Sequence, residues 1–129
     1  MPVETVRVQS RRVVLLAEDE PQLRDLLEAI LTQAGYAVIP AVDGQQALEL
    51  SRSYTSMIDL VVSDIKMPRM TGPELQEHIR FERPDAQVLL MSGHASGALL
   101  EYATSHDFIQ KPFEPNQFMD EVSTLLNRP

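Results

Sequence analysis

The sequence predicts an α/β domain built on a doubly wound parallel sheet. Five short apolar runs, Val13–Ala17, Tyr36–Pro40, Ile58–Ser63, Gln87–Met91 and Asp107–Gln110, recur along the chain. The first, third and fourth are almost continuous in Val, Leu, Ile and Met, the pattern of strands covered on both faces. Segments with helical spacing lie between the runs. A β-α alternation repeated five times implies right-handed crossovers on a single sheet. The length of 129 residues, 43% of them hydrophobic, suits one domain with a full core.

Each helix carries its own signals. Leu23, Leu26, Leu27, Ile30, Leu31 and Ala34 follow i, i+3, i+4 spacing, with Pro21 at an early position and Gly35 as the stop. Asp43 is placed to cap a second helix that carries Ala47, Leu48 and Leu50 inward. Thr71 and Glu74 form a T-x-x-E capping box for a third, with Leu75 and Ile79 inward and Pro84 beyond its end. A short fourth helix is expected over 96–104, and Phe118, Val122, Leu125 and Leu126 mark a fifth. Residues 1–11 read as a tail or linker remnant and 12–129 as the domain.

Composition excludes several function classes. Eleven Lys and Arg against nineteen Asp and Glu leave a net charge of −8, which disfavours a nucleic-acid surface. There are no cysteines, so disulfide scaffolds, thiolate metal sites and cysteine nucleophiles are all absent, as suits a reducing cytoplasm. No apolar run approaches the roughly 20 residues that span a bilayer, and Met1–Arg12 lacks the apolar stretch of a signal peptide.

Chemistry collects where open parallel sheets bind ligands, beyond the carboxyl ends of the strands. Glu18, Asp19 and Glu20 follow the first run, Asp64 ends the third, Ser92 and Gly93 the fourth, and Lys111 and Pro112 the fifth. If the strand order is 2-1-3-4-5, the first and third strands are neighbours and their acids converge. Converging carboxylates repel and raise one another's pKa. A hard divalent cation resolves that conflict, and Mg²⁺ suits carboxylate, carbonyl and water oxygens. A lysine and a hydroxyl at the same edge complete a site for a small oxyanion. Glu20, by contrast, reads as a helix cap or solvated turn.

With these residues in place the chain resembles the receiver domains of two-component response regulators. Val13-Val14-Leu15-Leu16-Ala17-Glu18-Asp19-Glu20 is similar to that family's first strand and acidic pair. Asp59 to Pro68 (DLVVSDIKMP), followed by Met70-Thr71-Gly72, is similar to the phosphoacceptor segment. Gln87–Gly93 (QVLLMSG) and Phe108–Phe113 (FIQKPF) resemble the last two signatures. The resemblance covers about residues 12–127. It implies a flavodoxin-like (βα)5 receiver fold in the order 2-1-3-4-5, acting as a phosphorylation switch.

Residue by residue, the resemblance implies that Asp64 accepts a phosphoryl group. Glu18, Asp19, Asp64 and the Lys66 backbone carbonyl would hold Mg²⁺, or Mn²⁺ in its place. Glu18 stands where the family often has Asp, which suggests that it keeps its charge and reaches the metal through water. Ser92 would hydrogen-bond the phosphoryl oxygen, Lys111 would supply the fixed positive charge, and Lys111-Pro112 would be cis. Phe108 occupies the switch-aromatic position, and Lys66 and His94 the positions that modulate phosphoryl loss. The implied partners are a histidine kinase or histidine phosphotransfer protein upstream and a downstream protein or covalently linked output domain. The same reading expects no direct contact with nucleic acid or membrane.

Three rival readings are weaker. A dehalogenase-type phosphatase needs a second Asp two residues after the first, where Lys66 stands. An FMN-binding module needs a hydroxyl- and Gly-rich phosphate loop after the first strand, where Glu18-Asp19-Glu20 would repel phosphate. A degenerate receiver serving only as a docking module fits poorly with four filled key positions. One departure from the family stands out. The stretch between Ser92 and Lys111 is short for a receiver and carries Gly97, so the face around the fourth helix is expected to be reshaped and the chain to stay monomeric.

Overall fold

The structure is a computed structural model that describes residues 11–93 and 107–128. Its elements are β1 (Val13–Ala17), α1 (Pro21–Gln33), β2 (Ala37–Ala41), α2 (Gly44–Ser53), β3 (Leu60–Asp64), α3 (Gly72–Glu82), β4 (Gln87–Ser92), β5 (Phe108–Gln110) and α4 (Pro115–Leu126). The strands form one sheet in the order β2-β1-β3-β4-β5, parallel at every pairing. The expected helix at 96–104, together with His94 and the tail before residue 11, lies outside the described residues.

The apolar strands divide their side chains between two cores. Val14 and Leu16 face one side, where Leu27 and Leu31 of α1 and Phe118 and Val122 of α4 cover them. Leu15 and Ala17 face the other, against Ala47 of α2 and Leu75 and Ile79 of α3. All five residues of β1 are buried, because period-2 alternation points them at two covered faces in turn. β2 is an edge strand, where Pro40 in register with Leu16 costs no ladder bond on the open side.

Strand boundaries shift slightly from the sequence reading. β2 begins and ends one residue later than the apolar run. β3 begins at Leu60 rather than Ile58, because the Asp59 side chain accepts a 2.8 Å bond from the Val13 N–H and caps the start of the ladder.

Helix entries follow the predicted caps. Asp43 accepts from the Gln46 N–H at 2.8 Å. Thr71 and Glu74 exchange both bonds of the capping box. Glu20 caps α1 through the Leu23 N–H at 2.9 Å. Gly35 takes φ +101 as the chain leaves α1, a conformation that favours glycine.

The exit of α2 is satisfied from a distance. Arg83, which terminates α3, donates to the Ser51, Tyr54 and Ser56 carbonyls and to the Ser51 hydroxyl at 2.6–2.9 Å. One guanidinium therefore serves the orphan carbonyls at the end of α2 and the turn beyond it. Arg83→Ala is expected to lower stability by about 2 kcal/mol, since it strips partners from half-buried carbonyls. Arg52→Ala, which removes only the exposed pair to Glu82, should leave the unfolding midpoint nearly unchanged. Urea denaturation of the two variants compares them directly, and equal midpoints would contradict the assignment.

Candidate phosphoacceptor and metal site

Parallel register brings the carboxyl ends of four strands to one edge. Ala17 pairs with Ser63, so the residues that follow, Glu18 and Asp64, emerge side by side. Ser92 pairs with Gln110, and the Lys111 N–H donates to the Ser92 carbonyl at 2.8 Å, extending that ladder by one bond. Lys111 thus rises from the edge strand and leans across β4 toward β3 and β1.

The Lys111 ammonium donates to Glu18 Oε1 at 3.0 Å and to Asp64 Oδ2 at 3.1 Å. Glu18 is fully buried, and its second oxygen accepts the Glu20 N–H at 3.1 Å. Burial pushes the Glu18 carboxyl above its ordinary value. The bonds from Glu20 and Lys111 oppose that shift, and the neighbouring Asp64 charge adds to it. The expected cause, repulsion between acids, is therefore secondary to desolvation at Glu18. Burial also works against the Lys111 charge, but the two carboxylates outweigh it and its pKa is raised.

Asp19 is exposed at the mouth of the site. One carboxylate oxygen from each of Glu18, Asp19 and Asp64 can be chosen so that all three lie within 4.8 Å of one another. Three hard oxygen donors at that spacing, with one face open to solvent, fit a small divalent cation that keeps several of its waters. Ser92 is buried at the end of β4, beside Lys111. The Lys66 side chain is exposed on the β3–α3 loop, and Phe108 is half-buried at the start of β5. The Lys111-Pro112 peptide is cis.

Several supports were not read from the sequence. Arg24, in the first turn of α1, donates to the Glu18 carbonyl at 2.9 Å and steadies the acidic turn. The loop from Ile65 to Thr71 folds back on itself, with the Gly72 N–H donating to the Ile65 carbonyl at 2.9 Å. Gly72 lies so close that a Cβ there would sit 2.4 Å from the Asp64 carbonyl oxygen, which only glycine permits. A helical pattern reports which face is buried, whereas these contacts join residues across a loop and leave no periodic trace.

Known proteins are similar to this chain in sequence and in fold. The response regulator receiver domain family matches residues 14–123. The sensor kinase CckA of Brucella abortus is 36% identical over 118 residues, covering 89% of this chain and 12% of that protein. The Bacillus subtilis transcriptional regulatory protein YrkP is 36% identical over 121 residues, covering 89% of this chain and 49% of that protein. The chain therefore spans half or less of the length of these relatives. Among solved structures, the receiver domain of the hybrid histidine kinase CckA superposes with a TM-score of 0.76 at 31% identity, covering 89% of this chain and 99% of that one. The Vibrio cholerae chemotaxis protein CheY4 gives 0.80 at 25% identity, covering 90% and 99%. With the strand order and the family match in agreement, this chain belongs to the response regulator receiver domains, whose general function is a phosphorylation-dependent signalling switch.

Proposed function

We propose that residues 12–129 form the receiver unit and that Asp64 is its phosphoacceptor. The observation that carries this reading is the Asp64 carboxylate at the end of β3, held by Lys111 and ringed by Glu18 and Asp19. An Asp64 oxygen attacks the phosphorus of the donor, the bond from phosphorus to the donor breaks, and the donor keeps the electron pair. Lys111 lies within reach of the incoming oxygens, and its charge stabilises them as they spread negative charge in the transition state. Ser92, one strand over, supplies a hydroxyl to the acyl phosphate formed.

Glu18, Asp19, Asp64 and the Lys66 carbonyl are the residues that would hold Mg²⁺, with Mn²⁺ as a substitute. Bound there, the cation supplies charge neutralisation for the phosphoryl oxygens. Glu18, committed through both oxygens to Lys111 and the Glu20 N–H, is suited to reach a cation through water. Phosphorylation draws Ser92 and Lys111 toward the new oxygens, and Phe108 follows as the switch aromatic. Lys66 and His94 modulate loss of the phosphoryl group. The chain catalyses only its own phosphorylation and dephosphorylation.

The donor is a histidine kinase or histidine phosphotransfer protein, and the output is a downstream protein or a linked domain. An apolar groove of about 240 Å³ lined by Leu23, Leu26, Pro112 and Phe113, with Lys111 at its wall, supports docking of the donor beside Asp64. No helix among the described residues is long and apolar enough to cross a membrane, and the cysteine-free sequence supports a cytoplasmic setting.

Incubation with acetyl phosphate and Mg²⁺ should add one phosphoryl mass to the chain and none to Asp64→Asn, read by intact mass spectrometry. A phosphorylated Asp64→Asn would overturn the assignment. Asp19→Ala should weaken Mg²⁺ binding on the order of tenfold in an NMR titration, and an unchanged titration would remove Asp19 from the metal site. Lys111→Met should destabilise the metal-free protein by about 3 kcal/mol, because it leaves the buried Glu18 charge uncompensated. Adding Glu18→Gln to that variant should recover most of the loss in thermal melts, and failure to recover would show that Lys111 acts through something other than Glu18.

A further inference from the structure

The loop that follows Asp64 holds an unusual backbone. Arg69 takes φ +69, the one non-glycine residue with positive φ among those described. The Met70 N–H donates to the Pro68 carbonyl at 2.8 Å, across Arg69. A two-residue-apart bond around a residue of positive φ is the rarer, strained hand of the γ-turn. Such a conformation persists only where the surroundings over-determine it, and it concentrates at functional sites.

Two contacts from the entry of α2 do the over-determining. Asp43 is 4% exposed, and its Oδ2 accepts from the Arg69 Nε at 2.8 Å and also from an Arg69 terminal nitrogen. Its Oδ1 meanwhile caps α2 through the Gln46 N–H. Gly44, the next residue, approaches so closely that a Cβ would stand 2.6 Å from the Met70 carbonyl oxygen. Burial alone would raise the Asp43 carboxyl, but the Gln46 N–H and the Arg69 guanidinium outweigh it and hold its pKa below the ordinary carboxylate value. The far end of the same loop is anchored at Gly72 against Asp64. Lys66 lies in the stretch between Asp64, against which Gly72 packs, and Arg69, which Asp43 holds.

We propose that Asp43 and Arg69 form a positioning clamp for the phosphoacceptor site: the pair holds the γ-turn shut, and the shut turn keeps the Ile65–Thr71 loop, with the Lys66 carbonyl, set for the cation that serves Asp64. This rests on the phosphoacceptor reading above. Asp43 then serves twice, as the cap of α2 and as the anchor of the loop, so α2 and the metal-binding loop move as one body. Neither residue touches the reacting atoms; both act through the backbone between Pro68 and Met70.

Two variants separate the clamp from mere stability. Arg69→Gly deletes the ion pair but suits φ +69 better than arginine does. Relief of the strained turn therefore offsets part of the cost of leaving the buried Asp43 without its cation, and the melting temperature should fall only slightly. Asp43→Asn keeps a good helix cap and weakens the charge pairing. Both should bind Mg²⁺ more weakly, Arg69→Gly by on the order of tenfold, and both should speed amide hydrogen exchange at Met70 and Gly72. The double variant should be no weaker than Arg69→Gly alone, since the two residues act as one unit. Unchanged Mg²⁺ titration and Met70 exchange in Arg69→Gly, or losses that simply add in the double variant, would overturn the clamp. If the unsubstituted chain gains no phosphoryl mass from acetyl phosphate and Mg²⁺, the phosphoacceptor reading falls and the clamp with it. If that chain is phosphorylated and the variants behave like it, the clamp alone is wrong.

Discussion

The Lys111 ammonium sits 3.0 Å from a fully buried Glu18 oxygen and 3.1 Å from Asp64, and the functional edge of the sheet depends on that placement. A buried carboxylate beside a second one is costly in a low-dielectric interior unless a cation lies between them. One lysine serves both acids because it emerges from β5 and crosses the end of β4. Geometry forces that route: the sheet order leaves β5 two strands from β3 and three from β1, and a long, flexible side chain can span the gap. The same charge that makes the site tolerable in the folded chain is the one a phosphoryl group would meet.

Everything beneath the edge serves to keep those strand ends level. β1 and β3 are apolar on both faces, so α1 and α4 on one side and α2 and α3 on the other hold them in a fixed register. Register is strongly specified in such strands, because a slip of one residue would turn every side chain to the wrong core. It would also separate Glu18 from Asp64. Packing and chemistry are therefore coupled through the ladder, and the polar residues are confined to its carboxyl end.

The helices on the α2–α3 face are tied to the site by side chains as well as by packing. Arg83 gathers the carbonyls at the end of α2, while Asp43 at its start reaches Arg69 in the loop after Asp64. Both ends of α2 are thus secured by arginines from the segment that runs from Asp64 through α3. Glycines at 44 and 72 allow backbones to approach where any side chain would collide. The loop carrying Lys66 is consequently defined by its neighbours on both flanks, which lets it hold a strained turn that it would not keep in isolation.

The sequence by itself determined the parts of this protein that follow from local chemistry. Continuous apolar runs marked β1, β3 and β4, and 3.6-residue spacing marked the buried faces of α1 and α4. Asp43, and Thr71 with Glu74, announced the starts of α2 and α3, since a cap needs only a side chain a few residues from its partner. The acids after β1 and β3 and the lysine after β5 were legible because parallel sheets present their ligands at one edge. Tertiary structure alone decided what those groups do to one another: that burial more than repulsion shifts Glu18, and that Lys111 spans two strands. It also decided that Asp43 holds Arg69 and that Arg83 closes α2. Those pairings join residues some 26 to 93 positions apart, and a contact across that distance is set by how the cores pack rather than by any local pattern.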